Sequence, residues 1–339
     1  MDKDYEKTMI KDDESISSYS GDDFPTGKIR YTLRNDYMFK AVLQRNKRAL
    51  TGLVSALLSM PVEKIDDVEI VNPIELGETI DDKTCILDIK LILNNNKIIN
   101  IELQVTKYKF WIERSLIYLC KAFDKLSVGE NYGKVLPTYH IGILDFWLKN
   151  KTKELYSEYR LLNVKNGEFY SDKIGVNVLN LKAVDDDSVT KEPEELYEWA
   201  KLFKATTWEE IKMLAEKNEY IADTVVTLRK LTADEKIRLQ CEARENYEHD
   251  RATLLRQGRE EGREEGREEG REEGDIRRLL TQICKKLSKG KKLREIADDL
   301  EEKEKDIKDL YEFATTFSPD YDEKIVFEKY IEKVNGRKE

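Results

Sequence analysis

Only four cysteines occur among the 339 residues: Cys85, Cys120, Cys241 and Cys284, widely scattered and without a CxxC pair. That excludes a disulfide framework and a zinc knuckle, and it points to a reducing compartment. Histidine is scarcer still, and His140 and His249 alone leave little material for a zinc or copper centre. No apolar run approaches the roughly 18 residues that a membrane span needs. The first residues, Met1-Asp2-Lys3-Asp4, are not a basic start followed by an apolar stretch, so the expectation is a cytoplasmic protein with no membrane partner. A GxxxxGK[ST] phosphate loop is also missing, and no Ser or Cys has a nearby His base. Nucleotide hydrolysis and covalent catalysis are therefore not expected.

What is present begins with charge. The formal net charge is −10, but it is unevenly spread. Between Lys28 and Arg48 stand Lys28, Arg30, Arg34, Lys40, Arg45, Lys47 and Arg48 against the single acid Asp36, a local net of +6. Such a run is either a phosphate-attracting patch or a solvated helix face.

Residues 1 to about 27 hold few large apolar side chains and read as a disordered leader, because they cannot bury enough surface to offset chain entropy. From Asn35 to Met60 apolar residues recur at helical spacing and stop before Pro61, which predicts one broken helix or two. Strand-like segments follow at Val68 to Ile74, Thr84 to Leu93 and Lys97 to Val105. Others follow at Tyr139 to Phe146, Leu155 to Leu162 and Ile174 to Leu181, and a helical pattern intervenes at Lys109 to Leu126. The order predicts a mixed α/β domain over 28–190, then a helical extension over 191–257 with Pro193 at a first-turn position.

Residues Gly258 to Gly274 repeat Gly-Arg-Glu-Glu four times and close on a fifth Gly. A period of four sets Arg above Arg and Glu above Glu, and each Gly costs about 1 kcal/mol relative to Ala in a helix. The segment is either a helix whose Gly stripe admits a second helix, as in a homodimer, or a charged spacer. Beyond it, apolar residues from Ile276 to Leu310 around Gly290 describe a small helical domain over 275–316, with 317–339 as a tail. This is a helix-turn-helix reader or a bundle for oligomer contacts; Asp298, Asp299, Glu301, Glu302 and Glu304 make its second half acidic.

The stretch from Thr84 to Val105 carries the chemistry. In its first strand Cys85, Leu87, Ile89, Leu91 and Leu93 point one way, with Asp88 and Lys90 opposite; in its second, Ile99, Ile101, Leu103 and Val105 oppose Asn100, Glu102 and Gln104. One face is a core and the other is largely polar. If Asn94-Asn95-Asn96 is a three-residue hairpin loop, Leu93 pairs with Lys97, and the same register sets Asp88 opposite Glu102. Two carboxylates with Cβ atoms roughly 4.5 to 5.5 Å apart repel unless a cation lies between them, and oxygen ligands favour Mg²⁺ or Mn²⁺. A one-residue slip would separate the pair and leave a solvent-exposed acidic rung.

An Asp, a hairpin and then Glu-x-Gln on the next strand resembles the PD-(D/E)xK nuclease signature. Leu33-Arg34-Asn35-Asp36-Tyr37-Met38-Phe39-Lys40 is similar to the opening of that superfamily's recombination-promoting nuclease and transposase-like branch, and the likeness covers about residues 30 to 185. The resemblance implies a restriction-endonuclease-like core, a mixed central sheet flanked by helices, followed here by an all-α C-terminal region. It also implies metal-dependent cleavage of double-stranded DNA in recombination, mobile-element biology or phage defence. By the same resemblance Asp88, Glu102 and the main-chain carbonyl of Leu103 hold Mg²⁺ (or Mn²⁺), with Asp36 a further ligand or a helix N-terminal acid. Gln104 orients the attacking water where the superfamily has Lys, and Lys90 could supply the missing charge. Arg34, Lys40, Arg114 and Tyr118 are the DNA-contact candidates. The alternative is a catalytically inactive DNA-binding or assembly protein that kept the nuclease fold.

Overall fold

The computed structural model describes residues 24–72, 89–124, 126 and 130–335. Helix α1 (Asp36–Arg45) starts at Asn35, whose side chain accepts a hydrogen bond from the Met38 amide, and ends at Asn46. Asn46 is extended, at φ −128° and ψ 100°, and its side chain in turn accepts from the Ala49 amide to start α2 (Lys47–Leu58). The predicted helical stretch is thus two helices, broken where one residue ends the first and caps the second. The amide of the same Asn46 side chain donates to Asp223 O and Thr227 Oγ1, tying the break to a later helix.

The sheet comprises β1 (Val68–Ile70), β2 (Ile89–Leu93), β3 (Lys97–Gln104), β4 (Thr138–Leu144), β5 (Tyr156–Leu162) and β6 (Phe169–Asn180), in spatial order β1-β2-β3-β4-β6-β5. The β3–β4 and β4–β6 pairs are parallel and the others antiparallel. Parallel neighbours need a crossover, and α3 (Trp111–Phe123) supplies the one between β3 and β4. The β2–β3 hairpin turns at Asn94 and Asn95, both with positive φ (49° and 51°), a conformation that Asn tolerates better than most residues. Its register is the expected one: Leu93 faces Lys97, Lys90 faces Asn100 and Ile89 faces Ile101. The first part of the second predicted strand, from Thr84 through Asp88, lies outside the described residues. β6 begins five residues before the predicted Ile174, and its pairing with β5 shifts register on either side of Leu161.

The main core gathers Tyr37, Phe39, Leu53, Ile89, Ile99, Ile101, Ile141 and Ile143 with Trp199, Phe203, Val225, Leu228 and Cys241. The last five belong to α4 (Glu194–Lys204), α6 (Glu219–Ala233) and the first turns of α7 (Glu235–Leu287), with α5 (Trp208–Ala215) between them. The helices expected as an extension after residue 190 therefore share the core of the sheet, and the first compact unit runs to Glu248.

The second unit, residues 249–339, is helical. Helix α7 continues through the Gly-Arg-Glu-Glu repeat, all of it exposed, and apart from the adjoining residues and backbone of the helix itself, nothing among the described residues lies within 4 Å of where a Cβ on any of its five glycines would stand. Its last turns pack Leu280, Ile283 and Leu287 against Ile296 of α8 (Leu293–Leu300), Ile307 and Leu310 of α9 (Glu304–Thr315) and Val326 of α10 (Glu323–Asn335). The segment read as a tail thus carries a helix that reaches this core. Among the described residues, no helix is long and apolar enough to cross a membrane.

Candidate active site

Alternation along β3 sends Ile99 and Ile101 into the main core and Asn100 and Glu102 toward the opposite face, and Lys90, paired with Asn100, shares that face. On β4, Ile141 and Ile143 join the core, so His140 and Gly142 turn to the same side as Glu102. The parallel register sets Asn100 beside His140 and Glu102 beside Gly142. Helix α3 covers this face: Trp111 and Leu119 close a small apolar cluster with Leu144, Phe146, Val176 and Val178. The face read as largely polar is therefore a second, drier interior. Its fit depends on Gly142, because a Cβ there would stand 2.2 Å from Trp111 Cζ2.

Within it, Glu102 is 1 % exposed. Its Oε1 lies 3.0 Å from Arg114 Nη2 and its Oε2 lies 3.3 Å from His140 Nε2. These are ion-pair separations, yet neither oxygen has a partner in hydrogen-bonding geometry. A buried carboxylate without satisfied lone pairs is costly, which makes Glu102 a candidate for a functional role. Arg114 lies over the rings of Tyr118 and Tyr108, at 5.0 and 5.6 Å from their centroids. Gln104 is half-buried and its amide donates to Thr106 O at 2.9 Å. The Leu103 side chain packs against the main core.

As to a metal, Glu102 offers two hard oxygens in need of a partner, and a neighbouring main-chain carbonyl is of the same chemistry, a set suited to Mg²⁺ or Mn²⁺. Among the described residues no group of three His, Cys, Asp or Glu gathers around a common point; Asp88 lies outside them. Asp36, the other expected ligand, stands in the first turn of α1 with both carboxylate oxygens held by Arg244 of α7, at 2.9 and 2.8 Å from Nε and 2.6 Å from Nη2.

Of the DNA-contact candidates, Arg114 and Tyr118 meet at Glu102 and His140, Tyr118 lying 6.1 Å from the His140 ring. Arg34 instead pairs with Asp145 at 2.5 Å, and Lys40 is 2 % exposed, so it presents no charge to solvent. The basic run from Lys28 to Arg48 is not a free cationic patch. Lys47 bonds Asp67, and Arg48 bonds Glu219 and Asp223, an attachment that raises the Arg48 pKa through the Asp223 hydrogen bond first. Sequence spacing cannot reveal acids that arrive from elsewhere in the chain.

Sequence reasoning placed Asn100 on the face of Glu102 but missed His140, Trp111 and Asp145 as neighbours of the site. Asp145 follows β4, is buried, and donates its amide to Gln104 O at 3.1 Å. A signal existed in β4, where Thr138, His140 and Gly142 alternate with large apolar residues and mark a face that is not ordinary core.

The family model described as PD-(D/E)XK nuclease family transposase matches residues 33–258, two thirds of the chain. No curated protein and no solved structure matches it. The matched span takes in α1, the whole sheet, Glu102 and α3 to α6. With its mixed six-stranded sheet flanked by helices in the restriction-endonuclease-like manner, the chain belongs to the PD-(D/E)XK nuclease family transposases, a family of nuclease-type function.

Proposed function

We propose that this chain is a divalent-metal-dependent endodeoxyribonuclease that hydrolyses double-stranded DNA, serving recombination, mobile elements or phage defence. The observation that carries the reading is the buried Glu102 carboxylate, unsatisfied in its hydrogen bonds, two residues before Gln104 on β3. PD-(D/E)XK nucleases generally use divalent metal ions, and DNA is the substrate their family implies.

In this reading Glu102, the carbonyl of Leu103 and Asp88 would hold Mg²⁺ or Mn²⁺. A bound divalent ion lowers the pKa of a water and stabilises the negative charge that develops on the phosphate. Gln104 orients the attacking water but, being neutral, adds no charge to the transition state. Lys90, on the face of β2 shared with Glu102, and Arg114 supply it, and electrostatic stabilisation of this kind is usually the largest contribution. Arg114 is held by two aromatic rings next to Glu102, so its guanidinium is already positioned when a phosphate arrives.

One observation favours a second reading, a DNA-binding protein without catalysis. The Gln104 amide is engaged with Thr106 O and Arg114 occupies the neighbourhood of Glu102, as expected of a site that needs no ion. Nicking and linearisation of supercoiled plasmid with Mg²⁺, Mn²⁺ or EDTA, by the native chain, Asp88→Ala and Glu102→Ala, separates the two. The nuclease reading expects metal-dependent cleavage that both substitutions abolish. An intact plasmid under every metal, still shifted in a gel, replaces it with the binding protein.

A further inference from the structure

His140 is fully buried, at 0 % exposure, and nothing in the proposed chemistry uses it. Its Nδ1 lies 3.1 Å from the Asn100 side-chain nitrogen. An amide nitrogen can only donate, so Nδ1 accepts, and the ring proton of the neutral imidazole must sit on Nε2. That nitrogen lies 3.3 Å from Glu102 Oε2, an ion-pair separation, and has no partner in hydrogen-bonding geometry among the described residues. Trp111 and Tyr118 flank the ring, with centroids 5.9 and 6.1 Å away, so it has little room to turn. Asn100, His140 and Glu102 thus form a chain, from amide to imidazole to carboxylate, across the parallel β3–β4 register.

We infer that His140 is a positioning residue for Glu102. Asn100 selects the tautomer, and the Nε2–H steadies Oε2, so that the carboxylate keeps one orientation and turns its remaining lone pairs to a divalent cation. The inference rests on the nuclease reading and adds to it the residue that aims its buried ligand. Groups that orient metal ligands from behind typically change metal affinity by about 10- to 100-fold when removed.

The test is calorimetric titration of Mn²⁺ into the full-length chain, with folding checked by circular dichroism. His140→Leu, which keeps bulk and removes the donor, should raise the Mn²⁺ Kd by about 10- to 100-fold. His140→Gln, which restores an N–H at similar reach, should return it to within about threefold of native. A leucine variant that binds Mn²⁺ as tightly as the native chain overturns the inference, as does a folded glutamine variant as weak as leucine. If the leucine variant does not fold, glutamine decides: near-native affinity upholds the role and a loss of about tenfold or more overturns it. A native chain that takes up no Mn²⁺ removes the nuclease reading and this inference together. Mn²⁺-dependent cleavage combined with an unaffected leucine variant removes this inference alone.

Discussion

The two faces of the central sheet bury their side chains about equally well but for different ends. On one, Ile99, Ile101, Ile141 and Ile143 meet α1, α2, α4 and α6 in a hydrophobic core that stabilises the fold. On the other, one residue along each strand, Asn100, Glu102 and His140 lie beneath α3 with Arg114 beside them. A shift of one residue separates hydrophobic stabilisation from a buried carboxylate that costs stability. A cost of that kind is one that functional sites commonly carry.

The comparison is broken most severely at Glu102. Glu102→Ala should lower metal-dependent plasmid cleavage by on the order of 10³-fold or more, the scale of several kcal/mol of lost transition-state stabilisation. Glu102→Gln should do likewise while leaving the denaturant midpoint unchanged or raised, because it removes a buried charge whose desolvation is incompletely offset. A clear loss of stability in the glutamine variant would show that the carboxylate is structural after all. Next door, Ile101→Ala should cost about 2 to 5 kcal/mol in urea unfolding, with the site chemistry intact in whatever fraction remains folded. A smaller change is expected from Gly142→Ala. Its Cβ collides with the Trp111 indole, which should cost about 1 to 3 kcal/mol and shift the tryptophan emission.

The smallest effect lies outside both faces, in the C-terminal unit. Hydrogen bonds from Lys286 and Lys291 hold Asp299 down at about 2, against an ordinary value of 3.8. Since the folded state lowers this pKa, the stabilisation is fully present above 3.8 and is lost as the pH falls from there through about 2. Asp299→Asn should therefore flatten that limb of the acid-unfolding curve and lower stability slightly at neutral pH, where the contribution is fully present. An unchanged acid limb would mean that this surface ion pair contributes nothing.

Much of the site was legible because it is local. Period-two alternation named the residues that share Glu102's face, and the Asn94-Asn95-Asn96 turn set the register, since its geometry is decided by neighbours in sequence. The apolar pattern from Asn35 to Met60 left one broken helix or two, and the form of the break depends on the Asn46 side chain, which caps one helix and reaches another. The repeat from Gly258 to Gly274 resisted reading for the opposite reason. Its local preferences oppose a helix, whereas the structure continues α7 through it.

By itself the sequence determined the mixed α/β order, the β2–β3 pairing and the motif residues, because strand alternation, turn chemistry and short spacings act within a few residues. Only the tertiary structure decided which charges are available. Arg34 meets Asp145, Asp36 meets Arg244 and Lys40 is buried, contacts set by packing across the chain rather than along it. The parallel pairing of β3 with β4 belongs to the same class, since a crossover helix separates the strands and no local signal gives their register. That pairing brings His140 to Glu102.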